Sequence, residues 1–153
     1  MEKNTQNNQP NYIIQKMYTK DLSFEAPNTP EIFKRQWQPE TRFDFDIKQK
    51  ECSKKTYEVE LILHITTKSN KNTAYMIEVI QAGIFILINS PKSQIDLILK
   101  AFCPNTLFPY AKTVINNLIN KGGFPQINLQ PINFEAFYME TMSKTFKKSD
   151  NLK

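Results

Sequence analysis

Phe43, Phe45 and Ile47 alternate with Arg42, Asp44, Asp46 and Lys48, a period of two that predicts a strand with one wet face. In Tyr57-Glu58-Val59-Glu60-Leu61-Ile62-Leu63-His64-Ile65 the odd positions are all apolar, while Glu58, Glu60 and His64 take the other side, so a second half-buried strand is expected. An apolar-rich extended run from Tyr12 to Tyr18 predicts an earlier strand. Thr73 to Ile88 is rich in strand formers and follows the turn-like Lys68-Ser69-Asn70-Lys71-Asn72, which predicts a hairpin. Four strands in succession point to an antiparallel sheet. Between the first two, Ala26 to Pro39 contains Pro27, Pro30 and Pro39, which forbid a regular helix and predict an irregular connection.

After Pro91 the period changes. Ile95, Ile98, Leu99 and Phe102, then Ala111, Val114, Ile115, Leu118 and Ile119, recur at helical spacing. Cys103-Pro104-Asn105 and Pro109 are expected to break or kink this region, and Gly122-Gly123 to end it as a C-terminal cap. A last helix should begin near Asn133 as N-cap, with Glu135 in its first turn and Phe134, Phe137, Tyr138 and Met142 along one stripe. Strands first and helices afterwards mean an α+β fold.

Composition narrows the picture. A chain of 153 residues with 40% hydrophobic content suits one compact domain. Residues 1–11 offer nothing to a core and are expected to form a disordered arm. No stretch approaches the roughly 18–20 apolar residues of a membrane span, and MEKNTQNNQP lacks the apolar centre of a signal peptide, so a cytosolic location without membrane insertion is expected. Cys52 and Cys103 lie far apart with no CxxC, which argues against a disulfide framework or zinc site. The net charge of +5 and pI near 9.1 raise nucleic acid as a partner. The basic residues are nevertheless scattered or gathered at Lys48, Lys50, Lys54, Lys55, Lys144, Lys147, Lys148 and Lys153, without an RNP-like or helix-turn-helix pattern, so a solvated surface is the expectation.

Candidate chemistry is thin. His64 is the only histidine and sits mid-strand with no nucleophile or acid beside it. There is no GxGxxG, Walker A, GxSxG or HExxH, and the chain holds only three glycines, too few for a phosphate-cradling loop. Asp44 and Asp46 share a strand face, which fits solvent better than a hard-metal site. No enzyme, cofactor or metal is expected. The surplus lies in the aromatics, with eleven Phe, six Tyr and one Trp. Several fall beside prolines or in irregular segments, as Phe33, Trp37, Phe108, Tyr110 and Phe124 do, and predict a contiguous apolar interaction surface.

At Tyr18-Thr19-Lys20-Asp21-Leu22-Ser23-Phe24-Glu25-Ala26-Pro27-Asn28 the chain resembles the SecB family of protein-export chaperones. The family pattern continues at Trp37-Gln38-Pro39-Glu40, Tyr57-Glu58-Val59, Glu78-Val79, Ala82-Gly83-Ile84-Phe85 and Cys103-Pro104-Asn105, then Leu107-Phe108-Pro109-Tyr110-Ala111. It ends with Gly123-Phe124-Pro125-Gln126-Ile127-Asn128-Leu129 and Pro131-Ile132-Asn133-Phe134, a collinear match over about residues 12–142. The resemblance implies a four-stranded antiparallel sheet with two helices packed on one face, a domain over 12–142 and a flexible basic tail over 143–153. It implies a homotetramer, a dimer of dimers, that holds unfolded precursor polypeptides without ATP and delivers them to the SecA motor.

Carried over by position, the client groove would include Trp37, Phe43, Phe45, Tyr110 and Phe137, with Thr41 where the family often has an aliphatic residue. SecA docking would fall on Asp21, Glu25, Met76 and Glu78, exposed on the sheet side. Tyr75, Ile77, Val79 and Gln81 alternate with that set and would face the dimer–dimer contact. In Asp21–Glu25, Leu22 and Phe24 alternate with the acidic residues, so both carboxylates project together. Two departures stand out. Familiar members are acidic, whereas this chain is basic, which weakens long-range attraction to basic parts of SecA. The tail Lys144-Thr145-Phe146-Lys147-Lys148 is basic where family tails are acidic, which puts a second SecA contact in question. The alternatives are a SecB-like chaperone dedicated to a toxin–antitoxin pair and a basic module binding single-stranded nucleic acid.

Overall fold

The structure, a computed structural model, describes residues 12–150, with side chains placed through Lys144. The expected N-terminal arm therefore lies outside the described residues. Strand β1 (Tyr12–Glu25) is followed by a short 3-10 turn at Glu31–Lys34 and by β2 (Pro39–Ser53), β3 (Thr56–Ser69) and β4 (Asn72–Leu87). The helical part comprises α1 (Lys92–Leu97), a π-helical turn at Ile98–Phe102, α2 (Cys103–Lys121) and α3 (Phe134–Asp150). The four strands pair antiparallel in the order β1-β4-β3-β2. This is the expected α+β architecture, a sheet with its two long helical segments on one face.

The strand periods set the layers. On β3, Val59, Leu61, Leu63 and Ile65 are buried, and on β4, Tyr75, Ile77, Val79 and Phe85 join them beneath Leu107, Ala111, Ile115 and Ile119 of α2. The intervening positions, among them Glu58, Glu60, His64, Met76 and Glu78, face away from the helices. The irregular connection from β1 to β2 runs past the β3–β4 turn, where the Asn28 amide donates to the Thr73 carbonyl at 2.9 Å and the Asn70 amide to the Gln36 carbonyl at 2.9 Å. The Gln36 carbonyl of the connection thus finds a partner without a strand ladder.

The first strand is longer than the expected Tyr12–Tyr18. It stays paired with β4 as far as Glu25, through irregularities at Ile14/Lys16 and Thr19/Asp21. Its alternation is hard to read because an edge strand need not cover its apolar residues, and Leu22 remains 48% exposed. Nor do the prolines break the helical region. The Cys103 N–H donates to the Ile98 carbonyl five residues back, and this wide turn precedes Pro104, whose ring would crowd a carbonyl four residues back in a regular helix. Pro104 then falls in the first turn of α2, and Pro109 is accommodated inside it.

The end of α2 is closed by a Schellman arrangement. The Phe124 N–H donates to the Ile119 carbonyl at 3.1 Å and the Gly123 N–H to the Asn120 carbonyl at 3.0 Å, with Gly123 at φ +83°, where a glycine is free of Cβ strain. Asn133 caps α3 as expected, its Oδ1 accepting from the Ala136 N–H at 3.0 Å. The helix then continues to Asp150, through the segment expected to be a flexible tail from 143, a stretch without glycine or proline.

Candidate functional site

Two aromatic clusters occupy the helix side of the sheet. In the first, edge strand β2 presents Phe43 and Phe45 toward α3. Their centroids are 6.4 Å apart, and Phe45 meets Phe134 at 5.5 Å and Phe137 at 4.8 Å, both edge to face. Phe134 is buried and continues to Phe108 of α2 at 6.1 Å, so it anchors the helix. Phe137 is 45% exposed and forms a wall. Beside it opens a pocket of about 400 Å³ lined by Ile47, Gln49, Lys100, Phe137, Tyr138 and Met142. Three of the expected groove residues, Phe43, Phe45 and Phe137, are therefore brought together.

The second cluster centres on Phe124, just past the α2 cap. Phe33 and Tyr75 lie 5.0 Å from it, Trp37 5.7 Å and Phe24 6.5 Å. Trp37 belongs here, in ring contact with Phe124 and not with the Phe43–Phe45–Phe137 set. Tyr110 stands on α2, 51% exposed, with no ring contact among the described residues. Phe33, 50% exposed, and Tyr138 and Met142 of the α3 stripe extend the apolar surface beyond the expected groove residues. The helical spacing of that stripe was visible in the sequence, but nothing in it said that the stripe would lie against β2.

The opposite face of the sheet is mixed, with carboxylates beside Met76, Ile80, Ile84 and Ile86 of β4. Asp21 pairs in register with Ile80, Ser23 with Glu78 and Glu25 with Met76, which puts Asp21, Glu25, Met76 and Glu78 together on the face turned away from the helices. Glu78 also lies 3.8 Å from His64 Nδ1. Next to this group, Lys20 Nζ contacts Glu60 at 2.5 Å and Glu58 at 2.9 Å, and the Tyr18 hydroxyl donates to Glu58. The hydrogen bonds from Tyr18 and Lys20 lower the Glu58 pKa. Burial and the bond to Glu58 push the Tyr18 hydroxyl up to about 12, and the bonds to Glu60 and Glu58 raise Lys20.

Tyr75, Ile77, Val79 and Gln81 require a correction. They are between 0% and 4% exposed within the single chain, beneath the helices, and Gln81 Oε1 accepts from Thr19 Oγ1 at 2.8 Å. Residues so covered offer no surface to another subunit. They do alternate with the exposed set, but the face they share is the protomer's own core.

Among the described residues no group of three or more His, Cys, Asp or Glu side chains is arranged to hold a metal ion, and no helix is long and apolar enough to cross a membrane. The family model for the preprotein translocase subunit SecB matches residues 5–145. The chain belongs to the SecB family. Protein-export protein SecB 1 of Francisella tularensis subsp. tularensis is 48% identical over 140 residues, 90% of this chain and 95% of that one. Protein-export protein SecB of Legionella pneumophila is 44% identical over 144 residues, covering 94% and 89%. Among solved structures, a Mycobacterium tuberculosis SecB-like chaperone in complex with a ChAD peptide from the HigA1 antitoxin aligns with TM-score 0.67 over 79% of this chain and 90% of that one. At 10% identity it attests the shared SecB fold alone. As a SecB, this chain is a protein-export chaperone, from a family of chaperones and not of enzymes.

Proposed function

We propose that this SecB holds unfolded precursor polypeptides along the aromatic surface between β2 and α3 and hands them to SecA on the opposite sheet face. The observation that carries the proposal is Phe137, 45% exposed yet stacked edge to face on Phe45 of an edge strand. Holding by such a surface needs no nucleotide, because apolar segments of an extended client each bind weakly and several together bind well. A homotetramer would multiply the grooves, working in the cytosol before export. Asp21, Glu25, Met76 and Glu78 are the proposed SecA contact, a mixed acidic and apolar patch apart from the client surface, so client and motor would not compete for one site.

The test is suppression of aggregation of a chemically unfolded precursor without ATP, followed by capture on SecA. Wild type should protect the client, Phe137→Ala should protect it less, and Asp21→Ala/Glu25→Ala should protect it fully but lose SecA capture. No protection by wild type would overturn the holding role. Unchanged capture by the double variant at moderate salt would remove the acidic residues from the docking site. The export role is favoured over one dedicated to a toxin–antitoxin pair because the relatives at 44–48% identity are export proteins.

A further inference from the structure

His64 is the chain's only histidine, and it stands about half exposed on the outer face of β3, away from the helices. Strand register sets acidic groups on both sides of it. On β2, Asp44 lies directly opposite, with Arg42 and Asp46 as its same-face neighbours. On β4, Glu78 lies directly opposite, with Met76 and Ile80 to either side. Beyond Glu78, β1 contributes Ser23, flanked on that face by Asp21 and Glu25. Along β3 itself the same-face neighbours are Ile62 and Thr66, which do not titrate.

These carboxylates differ in how they are engaged. Asp44 Oδ2 lies 3.3 Å from Arg42 Nε, and Asp46 Oδ1 accepts from the Ile47 N–H at 2.8 Å. Glu78 Oε2 lies 3.8 Å from His64 Nδ1, and among the described residues no Lys or Arg is within ion-pair distance of it. The ionisable partner of Glu78 is thus a side chain of the type that changes charge between about pH 5 and 8.

We propose that His64 regulates SecA docking by protonation: the neutral ring leaves the Glu78 carboxylate available to a cationic segment of the motor, and the charged ring occupies it. The inference rests on the proposed SecA contact at Asp21, Glu25, Met76 and Glu78 and adds its regulation. Exposed carboxylates around Met76 complement a cationic, partly apolar segment. An imidazolium beside Glu78 offsets one of the three carboxylates of that patch and repels the same segment. On a chain whose net charge is already +5, little long-range attraction compensates for the loss.

The test is capture of the full chain, in its native assembly, on immobilised SecA at low salt from pH 6.0 to 8.0. Wild type should bind about threefold more weakly at the acidic end, the scale of one exposed charge pair. His64→Gln should bind at every pH as wild type does at pH 8.0, and His64→Lys should bind weakly throughout. The pH response that SecA itself contributes persists in His64→Gln, so the difference between the two proteins isolates the ring. Equal pH responses in wild type and His64→Gln, or full capture by His64→Lys, would overturn the inference and leave the docking face standing. No capture of wild type at any pH would overturn the docking face as well. Should the variants not fold, the ring resonance of isotope-labelled wild type decides the matter. SecA added at about pH 6.5 should move that signal toward its neutral-form position, because a partner that prefers the neutral ring releases its proton; movement the other way, or none, overturns the inference.

Discussion

Phe45 and Phe137 meet edge to face with ring centroids 4.8 Å apart and planes inclined by 64°. One ring belongs to an edge strand and the other to the last helix, so the contact ties α3 to the sheet at the mouth of the proposed groove. An aromatic pair in this geometry contributes about 0.5–1.5 kcal/mol beyond its buried area. A double-mutant cycle with Phe45→Ala and Phe137→Ala, followed by denaturant unfolding, should show coupling of that size. Each single variant should also protect unfolded clients less well. Zero coupling would mean that the rings do not meet in solution.

The two faces of β4 give a sharper contrast. Ile77 is 3% exposed under the helices, and Met76, one residue earlier on the other face, is 37% exposed. Ile77→Ala should lower unfolding stability by about 2–5 kcal/mol, through lost burial and the cavity left behind. Met76→Ala should stay within about 0.5 kcal/mol of wild type in the same measurement. Similar effects at both positions would contradict the assignment of faces.

The Tyr18–Glu58–Lys20 cluster predicts a defined pH response. Folding lowers the Glu58 pKa, so its contribution is present above the ordinary value of 4.5 and fades as pH falls through the folded one. Folding raises Tyr18 from 10.0 to about 12, so its contribution is complete below pH 10 and is lost between 10 and 12 as the unfolded chain releases the proton first. The Tm difference between wild type and Tyr18→Phe should therefore be greatest from about pH 5 to 10 and shrink on both sides. A difference constant from pH 4 to pH 11 would rule out the Tyr18–Glu58 bond as its source.

The two thiols should differ in reactivity. Cys103 is fully buried, and burial pushes its pKa up to about 12, whereas Cys52 is exposed at the end of β2. Because the thiolate is the nucleophile, iodoacetamide should modify the native protein once, at Cys52, and the unfolded protein at both positions. Peptide mass mapping before and after denaturation reads this directly. Rapid native labelling of Cys103 would show that α2 opens easily.

Much of this protein could be read from its residues one period at a time. The alternation at Phe43–Phe45–Ile47 and through Tyr57–Ile65 marks strands because successive side chains leave opposite faces of an extended chain. Gly122-Gly123 and Asn133 mark helix ends because a terminus exposes backbone groups that only certain residues satisfy. The collinear motifs placed the chain in the SecB family. A period shows which residues share a face, but not which face is covered. On β4, Ile80, Ile84 and Ile86 are as apolar as Ile77 and Val79, and only the packing of α2 decided that Tyr75, Ile77, Val79 and Gln81 are the buried set. Tertiary structure likewise set Trp37 against Phe124 while Phe137 closed on Phe45, and carried the helix past Pro104 by means of a π turn. It also brought Lys100 beside Phe137, 37 positions later in the chain. Local sequence governs local geometry, whereas burial and the meeting of distant side chains depend on how the whole chain excludes water, and no single segment specifies that.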